Sequence, residues 1–209
     1  MTREPEENEA LRLEALWGGQ FGDEYVERNK SGYDHRATYW RELQERFGFT
    51  SALEVGCNIG GNLEWLVPNL PAGTVYGVDV NQEAIARIRE RVPEVNSIWS
   101  PGRELPFRDR MFDLVFTMGV LIHQPEVTLP LVMAEMVRTS SQFVLCGEYY
   151  DPETTEVPYR GHTGALFKRD YGGLFRDMFP NLEPVDSGFL SADEGWDDVT
   201  WWLFRRKGC

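Results

Sequence analysis

Short apolar runs alternate with segments of helical periodicity along most of the chain. The apolar runs predict seven strands, at about residues 51–56, 74–79, 95–99, 112–117, 141–148, 183–190 and 198–205. Helices are expected between them, at about 60–68, 82–91, 125–138 and 168–178, the second with Asn81 as its N-cap. This alternation predicts an α/β fold with a Rossmann-like, seven-stranded, mostly parallel sheet and helices on both faces. The short loop between the last two strands indicates an antiparallel last strand.

The segment that precedes the first strand has helical periodicity with polar interruptions. Residues 10–48 predict two or three helices, with breaks at Gly18-Gly19, Gly22-Asp23 and Ser31-Gly32. Trp17, Phe21 and Tyr25 follow the i, i+4, i+8 spacing of one helix face. That face either packs on the core or forms a lid over a ligand, and both interpretations stay open. We expect a single domain over 1–209, with a helical lid at 1–48 and a Rossmann-like core at 49–209.

Composition and charge exclude several classes of protein. An apolar content of 42% with 13% aromatic residues excludes a disordered chain. The net charge of −13 argues against a nucleic-acid substrate, which needs a basic surface. No apolar run approaches the roughly 20 residues that span a bilayer. We therefore expect a small-molecule substrate, no nucleic-acid or membrane partner, and a monomer or homodimer.

The cysteines and the first residues bear on the compartment. Cys57, Cys146 and Cys209 are odd in number and unclustered, which favours reduced thiols. The acidic start, Met1 to Glu9, is unlike a secretory signal or a transit peptide. Neither the cysteines nor the three histidines show metal-ligand spacing. We expect a cytoplasmic protein without a metal.

The turn after the first strand carries the most specific chemistry. The run Leu53 to Asn62 reads L-E-V-G-C-N-I-G-G-N, and Asp79 ends the next strand 23 residues after Gly56. This layout places a nucleotide-type pocket at the carboxyl ends of parallel strands. Glu54, directly before that turn, would repel a pyrophosphate and attract a cofactor that is positively charged and has no phosphate. S-adenosylmethionine fits, and Asp79 would accept hydrogen bonds from its ribose hydroxyls.

Later segments complete a family resemblance. With Leu105-Pro106-Phe107, the strand Phe112 to Phe116 and the stretch Met118 to His123, residues 51 to about 147 resemble class I S-adenosylmethionine-dependent methyltransferases. Two departures are Asn58, in place of a second glycine, and Ser100-Pro101-Gly102, where many members carry an acid. Asn tolerates a positive φ, so the turn is expected to survive. The cofactor-binding residues expected from the core are Glu54, Gly56, Asn58, Gly60, Asp79, Val80, Gly102 and Met118.

The lid is expected to add Tyr25 and Arg28 to the cofactor site. Arg28 could bind the cofactor carboxylate through a bidentate fork. Further matches lie at 17–25, 28–29, 147–150, 159–162, 166–170 and 197–202. These stretches resemble the pseudaminic acid biosynthesis-associated methylases. That resemblance implies methyl transfer to a small polar metabolite of the sugar, amino acid or carboxylate type in a biosynthetic pathway.

The acceptor side depends on residues near the fourth and fifth strands. His123 lies just past strand four, either beside the transferred methyl or as a surface cap of the next helix. The expected catalytic residues are His123, Glu148 and Tyr149, with His123 or Glu148 as a base if the acceptor needs one. The expected substrate-binding residues are Trp17, Tyr150, Tyr159, Arg160, His162 and Lys168.

The basic members of that set have two interpretations. Together with Arg169, the residues Arg160, His162 and Lys168 form a basic island in an acidic chain, either as a clamp for an anionic substrate or as a solvated helix start. Two alternatives to a methyltransferase also stay open: an adenosylmethionine-binding enzyme of another reaction, and a non-catalytic binding protein. Glu54 disfavours a nicotinamide dehydrogenase, because its carboxylate would repel the dinucleotide.

Overall fold

The computed structural model describes residues 3–29 and 34–208. The predicted break at Ser31-Gly32 and the third cysteine, Cys209, lie outside the described residues. No helix within the described ranges is long and apolar enough to cross a bilayer.

A seven-stranded sheet forms the centre of the fold, in the order β3-β2-β1-β4-β5-β9-β8. The strands from β1 to β5 pair in parallel, whereas β9 is antiparallel to both β5 and β8. The last strand is therefore the antiparallel one, as predicted. The strands of the sheet are β1 Ala52–Val55, β2 Val75–Asp79, β3 Asn96–Trp99, β4 Phe112–Met118, β5 Ser140–Glu148, β8 Leu182–Leu190 and β9 Val199–Arg206.

Helices cover both faces of this sheet, as the alternating pattern predicted. They are α1 Arg3–Gly18, α2 Gln20–Arg28, α3 Arg36–Phe47, α4 Gln82–Arg91, α5 Leu129–Thr139 and α6 Tyr171–Met178. One core packs Trp40 of α3 and Ile88 of α4 against the sheet. The other packs Met133 of α5 and Phe175 of α6 against the opposite face. Strands buried on both sides need apolar residues at nearly every position, which explains the unbroken apolar runs.

The predicted helix at 60–68 is wrong. That segment holds two short 3₁₀ turns, Leu63–Trp65 and Val67–Asn69. Gly60 has φ +80°, which is left-handed, and Pro68 has no amide hydrogen for a helical bond. Asn62 uses its side chain to bind Glu54. The local chain therefore favours tight turns over an α-helix.

The predicted break at Gly22-Asp23 is also wrong, because α2 runs through it. A Cβ on Gly22 would lie 1.7 Å from the carbonyl oxygen of Trp17. Glycine is needed there for the close approach of the two helices, and it does not interrupt the second one. The connection after β5 contains a small hairpin of β6 Thr155–Glu156 and β7 Phe167–Lys168.

Candidate active site

A cavity of about 220 Å³ opens at the carboxyl ends of β1, β2 and β4. The strand order reverses between β1 and β4, and such a switch point is where open α/β sheets bind ligands. Helices α1 and α2 and the β6–β7 connection contribute the remaining walls. Twelve of the predicted cofactor-binding, catalytic and substrate-binding residues line it: Trp17, Tyr25, Glu54, Gly56, Asn58, Asp79, Val80, Gly102, Met118, His123, Tyr149 and Tyr159.

The turn after β1 brings backbone close to the cavity. Gly56 has φ +76°, and a Cβ there would lie 2.5 Å from a methyl carbon of Val120. Only glycine fits that position without displacing its neighbour. Asn58 has φ +46°, so it adopts the left-handed conformation expected of it. Gly60 does not line the cavity; its missing side chain leaves space for Ile88 of α4.

Asp79 is fixed at the end of β2 by backbone donors. The amide groups of Asn58 and Asn81 each donate to one of its carboxylate oxygens at 2.8 Å. Burial raises the pKa of the Asp79 carboxyl, although the hydrogen bonds from these backbone amides oppose the shift. Each oxygen keeps acceptor capacity toward the cavity. The geometry therefore suits a carboxylate that accepts hydrogen bonds from a diol.

Asn81 joins this strand end to the N-terminal helices. Its side-chain oxygen caps α4 by accepting from the amide of Ala84 at 2.8 Å, which confirms the predicted N-cap. Its side-chain amide donates to the carbonyl oxygen of Trp17 at 3.0 Å and to Asp23 at 2.9 Å. The helices that roof the cavity are thus hydrogen-bonded to the strand that carries Asp79.

Glu54 lies at the bottom of the cavity and is 2% exposed. The side-chain amide of Asn62 donates to one of its oxygens at 2.5 Å. Its other oxygen, Oε2, has no hydrogen-bond partner within the described part of the chain. Burial raises the pKa of Glu54 to about 8, partly opposed by Asn62 and Arg36. A cation that entered the cavity would favour the ionised form and bind to it.

Arg36 is a site residue that sequence reasoning missed. It lines the cavity, donates to Asn62 Oδ1 at 2.9 Å, and lies over the Trp196 ring at 4.7 Å. The only signal for it was its i, i+4 spacing from Trp40 on α3, which an ordinary packing face also shows. Arg28 does not line the cavity. Its guanidinium lies 3.8 Å from Glu24 and 5.9 Å from the ring centre of Tyr25.

The wall near β3 contains the segment that replaces the usual acid. The Ser100 hydroxyl donates to the carbonyl oxygen of Glu104 at 2.9 Å. Gly102 has space for little more than hydrogen, because a Cβ would lie 3.0 Å from Val55. Arg103 bonds to Glu14 of α1 at 2.5 and 3.2 Å. This wall offers backbone and the Ser100 oxygen to a ligand, with its one arginine already engaged.

His123 is held in one tautomer. Its Nδ1 lies 2.6 Å from the carbonyl oxygen of Ala165, so Nδ1 carries the hydrogen and donates. Nε2 has no hydrogen-bond partner among the described residues and is left as an acceptor. Burial lowers the pKa of His123 to about 4, which keeps the ring neutral near pH 7. The interpretation of His123 as an exposed helix cap is not supported by this burial.

Glu148 supports the turn that carries His123. Its carboxylate is fully buried and accepts from the amides of Val120 at 3.3 Å and Ile122 at 3.1 Å. Burial raises the pKa of Glu148 to about 7. It does not line the cavity, so a direct role as a base lacks support from this placement. The contacts fit a residue that positions the 3₁₀ turn Leu121–His123.

Aromatic side chains surround the outer half of the cavity. Trp17 lies 4.3 Å from His123 and 6.4 Å from Tyr159 between ring centres. Tyr149, Leu166 and Trp196 line the same end. Burial raises the pKa of Tyr149 to about 12, with a further contribution from the negative charge of Asp197. This end of the cavity therefore combines apolar rings with a negative electrostatic potential.

The predicted basic clamp is not assembled at the cavity. Arg160 is exposed at a turn with φ +49°, and Lys168 pairs with Thr155 in the β6–β7 hairpin. His162 packs against Phe21 at 4.9 Å. Tyr150 is 47% exposed and packs near Trp202. None of these four predicted substrate-binding residues lines the cavity. Adjacency in sequence did not place them at the site: Arg160 is exposed, His162 and Lys168 are half-buried outside the cavity, and Tyr150 precedes the hairpin.

Part of the chain is similar to known proteins. Residues 52–141 match the family model of a methyltransferase domain. A Mycobacterium tuberculosis phthiotriol/phenolphthiotriol dimycocerosates methyltransferase is 32% identical over 77 residues, 36% of this chain and 28% of that protein. A Synechocystis 2-methyl-6-phytyl-1,4-hydroquinone methyltransferase is 28% identical over 126 residues, 54% of this chain and 39% of that protein. The chain thus spans well under half the length of these curated relatives.

Solved structures extend the similarity to nearly the whole chain. Magnesium protoporphyrin IX methyltransferase from Synechocystis PCC 6803, with bound SAH, has a TM-score of 0.73 at 12% identity, covering 94% of this chain and 99% of that one. Burkholderia thailandensis 1,6-didemethyltoxoflavin-N1-methyltransferase has a TM-score of 0.71 at 15% identity, covering 99% and 91%. These structures confirm the predicted fold. With the domain match, they support the predicted enzyme class and cofactor.

Proposed function

We propose that the protein is an S-adenosylmethionine-dependent methyltransferase that acts on a small polar molecule in a biosynthetic pathway. The observation that carries the proposal is the cavity at the switch point, lined by buried Glu54 and by Asp79. Both of these carboxylates lie within the segment that matches a methyltransferase domain. Neither carboxylate is paired with a lysine or arginine at salt-bridge distance within the described residues. A cationic ligand without phosphate is the chemistry that such a site selects.

The side chains present fit that cofactor. Asp79 would accept hydrogen bonds from the ribose hydroxyls, and Arg36 would bind the carboxylate. Glu54 Oε2 and Asn58 Oδ1 are buried without hydrogen-bond partners among the described residues, which a polar ligand would satisfy. Tyr25 and Trp17 would cover the sulfonium through cation–π contacts. When bound, the cofactor supplies an electrophilic methyl group.

The protein's own part is to orient the acceptor and to accept its proton. Holding two reactants in line can contribute as much as about 7–11 kcal/mol to a transfer. His123 presents Nε2 as a proton acceptor, because Nδ1 donates to Ala165. Glu148 holds the backbone of that turn in place. Tyr149 lies on the same wall and would orient the acceptor.

The acceptor class is the finer part of the proposal. A sugar, an amino acid or a carboxylate was expected from the resemblance to the pseudaminic acid-associated methylases, and that narrower relationship stays a prediction. The outward position of Arg160 and Lys168 removes the main support for an anionic acceptor. An adenosylmethionine-binding enzyme of another reaction and a non-catalytic binding protein stay as alternatives, which only product analysis separates.

Calorimetry and a labelled transfer assay test the proposal. The purified protein should bind S-adenosylmethionine and S-adenosylhomocysteine, and it should not bind NAD. Asp79→Asn should weaken the binding of both adenosyl compounds by about 1.5–3 kcal/mol, the range for hydrogen bonds to a charged group. Asp109→Asn, at an exposed carboxylate outside the cavity, is the matched control. An NAD isotherm without heat from either adenosyl compound would overturn the proposal.

A further inference from the structure

The structure assigns an acceptor class to the outer half of the cavity: an uncharged aromatic molecule that is methylated on a ring hydroxyl. This inference rests on the proposed function and narrows its acceptor. Three independent features carry it, namely the rings that form the wall, the distribution of charge around them, and the position of an uncharged proton acceptor.

The wall at this end is built from aromatic rings. Trp17, His123 and Tyr159 contact one another, with ring centres 4.3, 5.3 and 6.4 Å apart. Tyr149 and Trp196 line the same cavity. Flat aromatic surfaces gain about 0.5–1.5 kcal/mol from ring contact beyond simple burial, a contribution that a saturated ring does not make.

Charge around the wall disfavours an anion. Two arginines occur among the described lining residues: Arg103 is paired with Glu14, and Arg36, which contacts Asn62 and the Trp196 ring, is assigned to the cofactor carboxylate. The carboxylate in the lining at the outer end is Asp197, whose charge adds to burial in raising the pKa of Tyr149. A carboxylate or phosphate acceptor would meet this negative potential without a cation to bind. An ammonium acceptor would face the sulfonium, a like charge.

A neutral hydroxyl fits the proton acceptor that is present. The S–CH₃ bond breaks as the bond between the acceptor oxygen and the methyl carbon forms, the S–C electron pair stays on sulfur, and the hydroxyl proton moves to His123 Nε2. Nδ1 already donates to Ala165, so the imidazolium that forms keeps this hydrogen bond. A phenolic hydroxyl is acidic enough for a weak neutral base to assist, whereas an aliphatic hydroxyl is several pKa units less acidic.

A matched panel of acceptors tests the class. The probes are phenol, catechol and β-naphthol, with benzoate and β-naphthoate as their carboxylate counterparts and cyclohexanol and β-decalol as their saturated ones. Methyl transfer from labelled S-adenosylmethionine gives one readout. Calorimetry of each probe with the protein saturated by S-adenosylhomocysteine gives a second readout that does not depend on turnover.

We expect methylation of at least one hydroxyaromatic, with about tenfold tighter binding than its saturated or carboxylate counterpart. If S-adenosylhomocysteine binds but no hydroxyaromatic is methylated or preferred, the inference falls and the proposed function stands. If S-adenosylhomocysteine itself does not bind, the proposed function falls, and the inference with it.

Variants of the wall separate ring contact from general damage. Tyr159→Leu should weaken binding of the preferred hydroxyaromatic about threefold to tenfold, and Tyr159→Phe, which keeps the ring, should restore it. Glu153→Gln, exposed on the same connection, is the control for the segment. His123→Gln should lower kcat by a larger factor than it weakens that binding, because this ring is both part of the wall and the proton acceptor. Equal binding by Tyr159→Leu and Tyr159→Phe would contradict the aromatic wall.

Discussion

Replacing Glu54 with glutamine should change how the stability of the protein depends on pH. The carboxyl is buried, and burial raises its pKa to about 8 from an ordinary value of 4.5. Between these two values the unfolded chain releases the proton while the folded protein keeps it. The free energy of unfolding of the natural protein therefore falls with rising pH across this window. Glutamine cannot ionise, and its side-chain oxygen can still accept from Asn62.

The size of the effect follows from the shift. Each pH unit across the window costs the natural protein about 1.4 kcal/mol, so near pH 7 the accumulated loss is about 3 kcal/mol. The unfolding free energy of Glu54→Gln minus that of the natural protein should grow by this amount between about pH 4.5 and pH 7. Other carboxyls with a raised pKa, such as those of Asp79 and Glu148, occur in both proteins, so their contributions largely cancel in the difference.

Urea unfolding of both proteins at several pH values measures that difference. Parallel stability curves would refute the reasoning, because they would mean that Glu54 titrates at its ordinary pKa when folded. The same variant should lose more affinity for S-adenosylmethionine than for S-adenosylhomocysteine, since only the first carries a sulfonium charge. Equal losses of affinity for the two ligands would mean that Glu54 does not interact with the sulfonium.

Three further expectations concern the lid, the missed arginine and the glycine turn. Amides of α1 and α2 should exchange more slowly with S-adenosylhomocysteine bound; unchanged exchange would make them a permanent part of the fold. Arg36→Gln should weaken the binding of S-adenosylhomocysteine by about 1.5–3 kcal/mol in calorimetry. Arg28→Gln, outside the cavity, should leave this binding unchanged. Gly60→Ala should destabilise more in urea than Gly73→Ala, since both have positive φ but only Gly60 would clash, with Ile88 at 2.6 Å.

The core of the fold and the cofactor half follow from local sequence. Buried parallel strands leave unbroken apolar runs, and the turn chemistry of Gly56 and Asp79 depends on residues a short distance apart. These signals are local, so sequence alone places them well. The helix predicted at 60–68 failed because the tertiary bond from Asn62 to Glu54 and the left-handed Gly60 override its apolar spacing.

Arg36 and the acceptor half of the cavity depend on contacts between distant segments. Arg36 reaches the cavity only because α3 packs beside Asn62, and nothing in its neighbours in sequence indicates this. Arg160 and Lys168 looked functional from their charge in an acidic chain. The direction in which the hairpin turns, which decides their exposure, is set by its contacts with α1, such as that of Gly164 with Arg12. Hydrophobic periodicity does not predict which way the side chains of a long connection point.

The two halves of the cavity come from different stretches of the chain, and this bears on how such a protein could diversify. The cofactor wall is contributed mainly by residues 54–103, whereas Tyr149, Tyr159 and Leu166 belong to one connection between β5 and α6. Within that connection β6 and β7 pair only with each other. Recombination or drift in this one insert could therefore change these three acceptor-side residues while the methyl-donor machinery stayed intact, so homologues with the same first half can be expected to differ in what they modify.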